Sequence, residues 1–189
     1  MPALQNAVLL IIDVQKGFDE PAWGQRNNPE AEQQIARLLQ LWRATQRPIV
    51  HVQHLSTAPD SPLRPNYVGS EIKDIVKPEA GEAVFQKQVN SCFIGTGLTD
   101  WLRERGYDTL VIVGLTTPHC VSTTTRMAGN LGFQTYLVSD ATAAFALTGP
   151  DGRCYSADDV HAVSLATLHQ EFATVLDTHT LLQTIQPAV

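Results

Sequence analysis

The sequence predicts a single-domain α/β fold of three layers, with about six mostly parallel strands covered by helices on both faces. Three observations carry this. Short, continuous apolar runs rich in Val, Ile and Leu recur along the chain, which is how strands buried on both sides of a sheet read. Stretches with helical spacing and cap signals alternate with them. No linker-like or low-complexity segment divides the 189 residues, so one domain over 1–189, large enough to bury its own core, is expected.

Taken in order, residues 7–12 (AVLLII) read as a central strand that stops abruptly at Asp13. Asn27 and Asn28 prepare a helix start with Pro29 in its first turn, and Ile35, Leu38, Leu39 and Trp42 form the apolar stripe of that helix to about Thr45. A second strand spans 49–55. Residues 56–68, rich in Pro, Ser and Asp, form a long surface loop of the kind that roofs a site. A third strand at 83–86 ends at Lys87, and an amphipathic helix lies between Gly95 and Arg105 with Gly106 as its C-cap. The fourth strand, 109–113, ends at Gly114. After a Pro-containing turn, a helix starts after Cys120 and runs to about Leu131. A fifth strand covers 134–139, and 149–155 is a polar loop. Ser156 N-caps a helix to about Leu168, a sixth strand spans 172–176, and a last helical turn follows at 178–182.

The composition is 43% apolar and 17% charged with a formal net charge of −6, so there is no basic face to neutralise phosphates and nucleic acid is excluded as a partner. The three cysteines, Cys92, Cys120 and Cys154, are odd in number and widely spaced. They form neither a disulfide framework nor a zinc motif, and they fit a reducing cytoplasm. The apolar run at 7–12 lacks a basic leader and is too short for a signal peptide or a membrane span, so a cytoplasmic protein is expected.

Three chemically able residues share one address. Asp13 ends the first strand, Lys87 ends the third and Cys120 follows the fourth, and in a parallel sheet all strand C-termini lie along one edge, where ligands bind. Each alone has a structural explanation: a cap, a solvated amine, a buried small hydrophobe. At a strand-to-helix junction, however, unpaired N–H groups and a nearby ammonium favour thiolate, and a carboxylate can accept the thiol proton.

The motifs at these positions resemble the isochorismatase-like cysteine hydrolases, which include nicotinamidase and N-carbamoylsarcosine amidase. The resemblance spans nearly the whole chain. It rests on VLLIIDVQKGF at 8–18, FQKQVNSCFIGTGL at 85–98, VIVGLTTPHCV at 111–121 and LGFQTYLVSDATAAF at 131–145, in the family's order. The resemblance implies that Cys120 is the nucleophile, Asp13 its general base and Lys87 the cation that holds both, hydrolysing a small amide, ureido or related C–N bond through a thioester. It further implies an oxyanion hole from the backbone N–H groups of Thr116 and Cys120, and a cis peptide before Thr116. Gln15, Phe18, Phe93 and His54 are expected to wall the substrate pocket. Dimers or larger homo-oligomers are common in the family, and Trp23, Trp42 or the 165–172 region could supply an interface.

The sequence departs from the pattern of the family's metal-binding nicotinamidases. Their Asp-x-His pair is replaced here by His54 and Ser56, and His51 and His54 point to opposite faces of one strand. No metal and no cofactor are therefore expected, and the partner is a small molecule, with neither nucleic acid nor membrane involved. Two other readings compete. A member of the same fold could bind a small molecule or assemble without turnover. The run from His119 to Arg126 also fits H-C-x5-R, the phosphate loop of cysteine phosphatases, although its five intervening residues contain no glycine.

Overall fold

A computed structural model describes Leu4 and residues 6–185 of the chain. Six parallel strands form one sheet in the order β3-β2-β1-β4-β5-β8. They are β1 (Val8–Ile12), β2 (Ile49–His54), β3 (Ala83–Lys87), β4 (Thr109–Leu115), β5 (Gln134–Ala143) and β8 (Thr174–Leu176). The helices are α1 (Ala31–Ala44), α2 (Leu98–Glu104), α3 (Ser122–Asn130), α4 (Ala157–Leu168) and α5 (Thr178–Ile185). Alternating residues of the central strands sort into two cores. Leu9, Ile11, Val111 and Val113 pack with Ile35, Leu38, Trp42 and Leu181 of α1 and α5 on one face. Val8, Leu10, Ile12 and Ile112 pack with Leu98, Leu102, Ala128 and Leu168 of α2, α3 and α4 on the other. This two-sided burial is why the strands read as continuous apolar runs.

Several sequence expectations shift in detail. The fourth strand does not stop at Gly114 but continues to Leu115. Gly114 adopts φ +125°, and a Cβ there would lie 2.0 Å from the Ile12 carbonyl oxygen, so glycine lets β4 run tight against β1 beside the site. The fifth strand extends to Ala143 with an irregular register against β4, carrying the chain outward to Phe145. The polar loop after it contains a hairpin, β6 (Leu147–Thr148) with β7 (Cys154–Tyr155). Ser156 caps α4 as expected, its hydroxyl accepting from the Asp159 N–H. Trp42 cannot serve an interface, because it is fully buried and donates its indole N–H to the Ala7 carbonyl. Among the described residues no helix is long and apolar enough to cross a membrane.

Candidate active site

The C-terminal edge of the sheet brings Asp13, Lys87 and Cys120 together. The Lys87 ammonium donates to Asp13 Oδ2 at 2.6 Å, to Cys120 Sγ at 3.2 Å and to His54 Nδ1 at 2.9 Å. An ammonium has three hydrogens, so all of them are used. Because Nδ1 of His54 accepts, its ring is neutral with the proton on Nε2. Lys87 and Asp13 are fully enclosed side chains, whereas His54 and Cys120 also face a pocket.

Local geometry explains how each group arrives. Asp13 follows the last residue of β1, donates its N–H to the Val52 carbonyl and takes a left-handed φ of +52°, which turns the chain out of the strand. Lys87 is the last residue of β3 and pairs with His54, the last of β2. Cys120 does not sit at a regular helix start. It lies in a π-turn, Thr117–Val121, closed by N–H groups of His119 and Val121 on the Thr116 carbonyl, and α3 begins only at Ser122. The Leu115–Thr116 peptide is cis.

Burial corrects the expectation of a resting thiolate. Removal from water, then the Asp13 charge, pushes the Cys120 thiol up to about 12, and Lys87 only partly offsets this. Burial also raises the Asp13 carboxyl above the usual range, against the pull of Lys87. Lys87 keeps its proton: desolvation opposes the charge, but the Asp13 carboxylate outweighs it. The resting site is therefore a protonated thiol beside an ion pair. Asp13 Oδ1 is buried without a hydrogen-bond partner, and the Asp13 carboxylate lies within 4.8 Å of Cys120 Sγ.

The pocket above Cys120 has a volume of about 500 Å³. Of the expected walls, Phe18 and His54 line it and Gln15 and Phe93 do not; Thr116 and Cys120, the expected oxyanion-hole residues, line it too. Gln15 is fully buried and clamps the backbone of His54, its amide accepting from the His54 N–H and donating to the His54 and Ser70 carbonyls. Phe93 turns into the core and stacks on Phe133 at 5.8 Å. The sequence reading missed Trp23, His119 and Asn90, and placed Leu63, Phe145 and Leu147 only within variable loops. Trp23 lies 5.4 Å from Phe18 and 5.5 Å from Phe145 between ring centroids, so two segments distant in sequence build one aromatic wall. The exposed aromatic residue in the Pro-bounded turn at 21–23 was the available signal.

Two alternative chemistries meet the geometry. Asp13, His54 and Cys120 offer ligand atoms within 4.8 Å of one another, a spacing a metal ion could use. The Lys87 ammonium bonds to all three, however, and a divalent ion there would have to expel it, so these residues do not fit a resident metal. The phosphate-loop reading fails on Arg126. Its guanidinium lies over the Phe172 ring at 4.9 Å and donates to Thr167 of α4, away from the pocket.

His161 bonds to the Thr117 hydroxyl under the π-turn, and His169 accepts from the Val175 N–H. Cys92 is buried and Cys154 exposed.

Comparison with known proteins gives a consistent result. The sequence model described as "Isochorismatase domain" matches residues 7–180. The isochorismatase family protein YrdC of Bacillus subtilis is 52% identical over 94% of this chain and 95% of its own. A crystal structure of an isochorismatase-family protein from Chromobacterium violaceum superposes with a TM-score of 0.92 at 46% identity, covering 95% of this chain and 93% of that one. A streptothricin hydrolase of Streptomyces noursei is 33% identical over 72% of this chain and 49% of its own length. Matches of this extent and identity place the chain in the isochorismatase family of hydrolases.

Proposed function

We propose that this protein hydrolyses the C–N bond of a small amide or ureido compound in the cytoplasm, through a thioester on Cys120. The observation that carries the reading is the unpartnered, buried Oδ1 of Asp13 beside a protonated thiol, with the other carboxylate oxygen held by Lys87. A proton acceptor enclosed without a donor is a costly arrangement for a fold, and such groups concentrate where chemistry is done. The streptothricin hydrolase relative supports a hydrolytic role for the scaffold.

The steps follow from the geometry. As Cys120 Sγ attacks the substrate carbonyl, its proton passes to Asp13 Oδ1 and the C–S bond forms. The backbone N–H groups of Thr116 and Cys120 receive the developing oxyanion. Collapse breaks the C–N bond while Asp13 returns the proton to the leaving nitrogen. A water then attacks the thioester, Asp13 takes its proton, and the acid leaves as the thiol is restored. Lys87 remains charged throughout and compensates the negative charge that shifts between Asp13 and Cys120.

The test is to treat the protein with 4-nitrophenyl acetate and read intact mass and tryptic peptides. An acetyl adduct on Cys120, absent in Cys120→Ala and formed far more slowly in Asp13→Asn, is expected. Adducts spread equally over Cys154 and Cys120 and indifferent to Asp13 would overturn the mechanism and favour a binding protein on the same fold.

A further inference from the structure

We infer that the pocket selects an uncharged substrate, an amide whose acyl group is apolar or aromatic and bears no carboxylate. The inference rests on the hydrolase reading and names the group that the pocket holds.

Two observations point the same way. The walls are Phe18, Leu63, Pro118 and Phe145, and the apolar surface continues to the mouth, where Trp23 and Leu147 are each 38% exposed. A bound acyl group would therefore be desolvated on most sides. The second observation is that, among the described residues, none of those lining the pocket is a lysine or arginine, and the cations in the neighbouring segments are paired with carboxylates or stacked on aromatic rings. Lys87 spends its three hydrogens on Asp13, His54 and Cys120. Lys16 pairs with Glu71, Arg26 with Glu32, and Lys73 with Asp19 and Glu32. Arg64 lies over the Tyr67 ring at 3.9 Å and Arg153 over Tyr155 at 4.9 Å.

The two imidazoles on the wall add no charge. His54 accepts from an ammonium, and burial followed by the Lys87 charge holds it down to about 4; burial also lowers His119. Among the described residues that line the pocket none can neutralise a carboxylate, and beneath the floor the Asp13 and Lys87 charges offset each other. No lining carboxylate pairs with a cation either. The polar lining groups Asn90, Ser56 and Ser61 are neutral and suit the amide end of a substrate. An unpaired charge taken out of water in such a pocket is strongly disfavoured.

The experiment uses three matched probes: benzamide, 4-carbamoylbenzoate and 4-(aminomethyl)benzamide. Ammonia release is measured with the wild type, and binding to Cys120→Ala by calorimetry, with Cys120→Ser as a second inactive variant. The expected result is a kcat/KM for benzamide roughly a hundredfold or more above either charged probe, with binding preference in the same order. Turnover of either charged amide equal to or better than benzamide overturns the inference. If no probe releases ammonia, binding decides. Preferential binding of benzamide leaves the pocket inference standing while the hydrolase reading falls. Binding of a charged probe as tight as benzamide, or of none of the three, overturns the pocket inference.

Discussion

The molecule encloses two lysines beside carboxylates, and their surroundings differ in kind. Lys73 donates to Glu32 at 2.7 Å and to Asp19, while the Arg26 guanidinium clasps the same Glu32 through both nitrogens. Every acceptor there is supplied, and the Glu32 carboxyl, despite burial, is held down to about 2 by Arg26 and Lys73. Lys87 is enclosed more completely, yet its carboxylate is raised rather than lowered, and one oxygen has no donor. The contrast lies in charge count: two cations share essentially one buried carboxylate in the first cluster, whereas one cation serves a carboxylate and a thiol in the second. A complete network ties the loop carrying Asp19 and Arg26 to α1; an incomplete one keeps a proton movable.

Substitutions can break this contrast, beginning with the largest effect. Cys120→Ala abolishes turnover while the far-ultraviolet circular dichroism and melting temperature stay near wild type. Asp13→Asn lowers kcat/KM by about 10²- to 10⁴-fold, as loss of a general base does; a smaller loss in an amide-hydrolysis assay would reassign the base. Glu32→Gln acts on stability instead. Removing one partner from a buried charged network costs about 3–5 kcal/mol, seen as a lowered denaturation midpoint, with acetylation of Cys120 retained at temperatures where the variant is folded.

Acidity sharpens the comparison. The Glu32 carboxyl is depressed from 4.5 to about 2, so its contribution to stability is complete above the unfolded value and is lost as pH falls through that window. A pH series of urea melts should show this slope in the wild type and not in Glu32→Gln. For Cys120 the thiol is raised, so alkylation in the substrate-free protein should climb about tenfold per pH unit through neutrality without a plateau. A plateau near pH 7 would mean a preformed thiolate. His54→Ala removes one anchor of Lys87 and is expected to reduce kcat/KM by roughly ten- to a hundredfold, the cost of a displaced site group. Arg126→Ala is the smallest change: steady-state turnover stays within error of wild type, because this residue touches Ser122, Thr167 and Phe172 and does not line the pocket.

Much of this was readable from the chain. The apolar runs located the central strands β1 and β4, because a strand buried on both faces leaves no room for polar residues; the edge strands β3 and β8 are partly exposed and read less plainly. The alternation with helices then required a parallel sheet, and that topology by itself carried Asp13, Lys87 and Cys120 to one edge. Boundaries were less legible. Gly114 reads as a strand stop, yet its missing Cβ is what lets β4 continue past Ile12. Gln15 and Phe93 sit within motif spacing of the site but turn inward, since direction depends on backbone turns that residue type does not specify.

What the sequence by itself determined is the fold class and the shared address of Asp13, Lys87 and Cys120 at one sheet edge, both consequences of local pattern and of where strands must end. Only the tertiary structure decided their protonation and the pocket's character. Desolvation depends on atoms contributed by the whole chain, and it turns an expected thiolate into a protonated thiol. The aromatic wall, likewise, joins Phe18, Trp23 and Phe145 from segments over a hundred residues apart, and no spacing rule along the chain connects them.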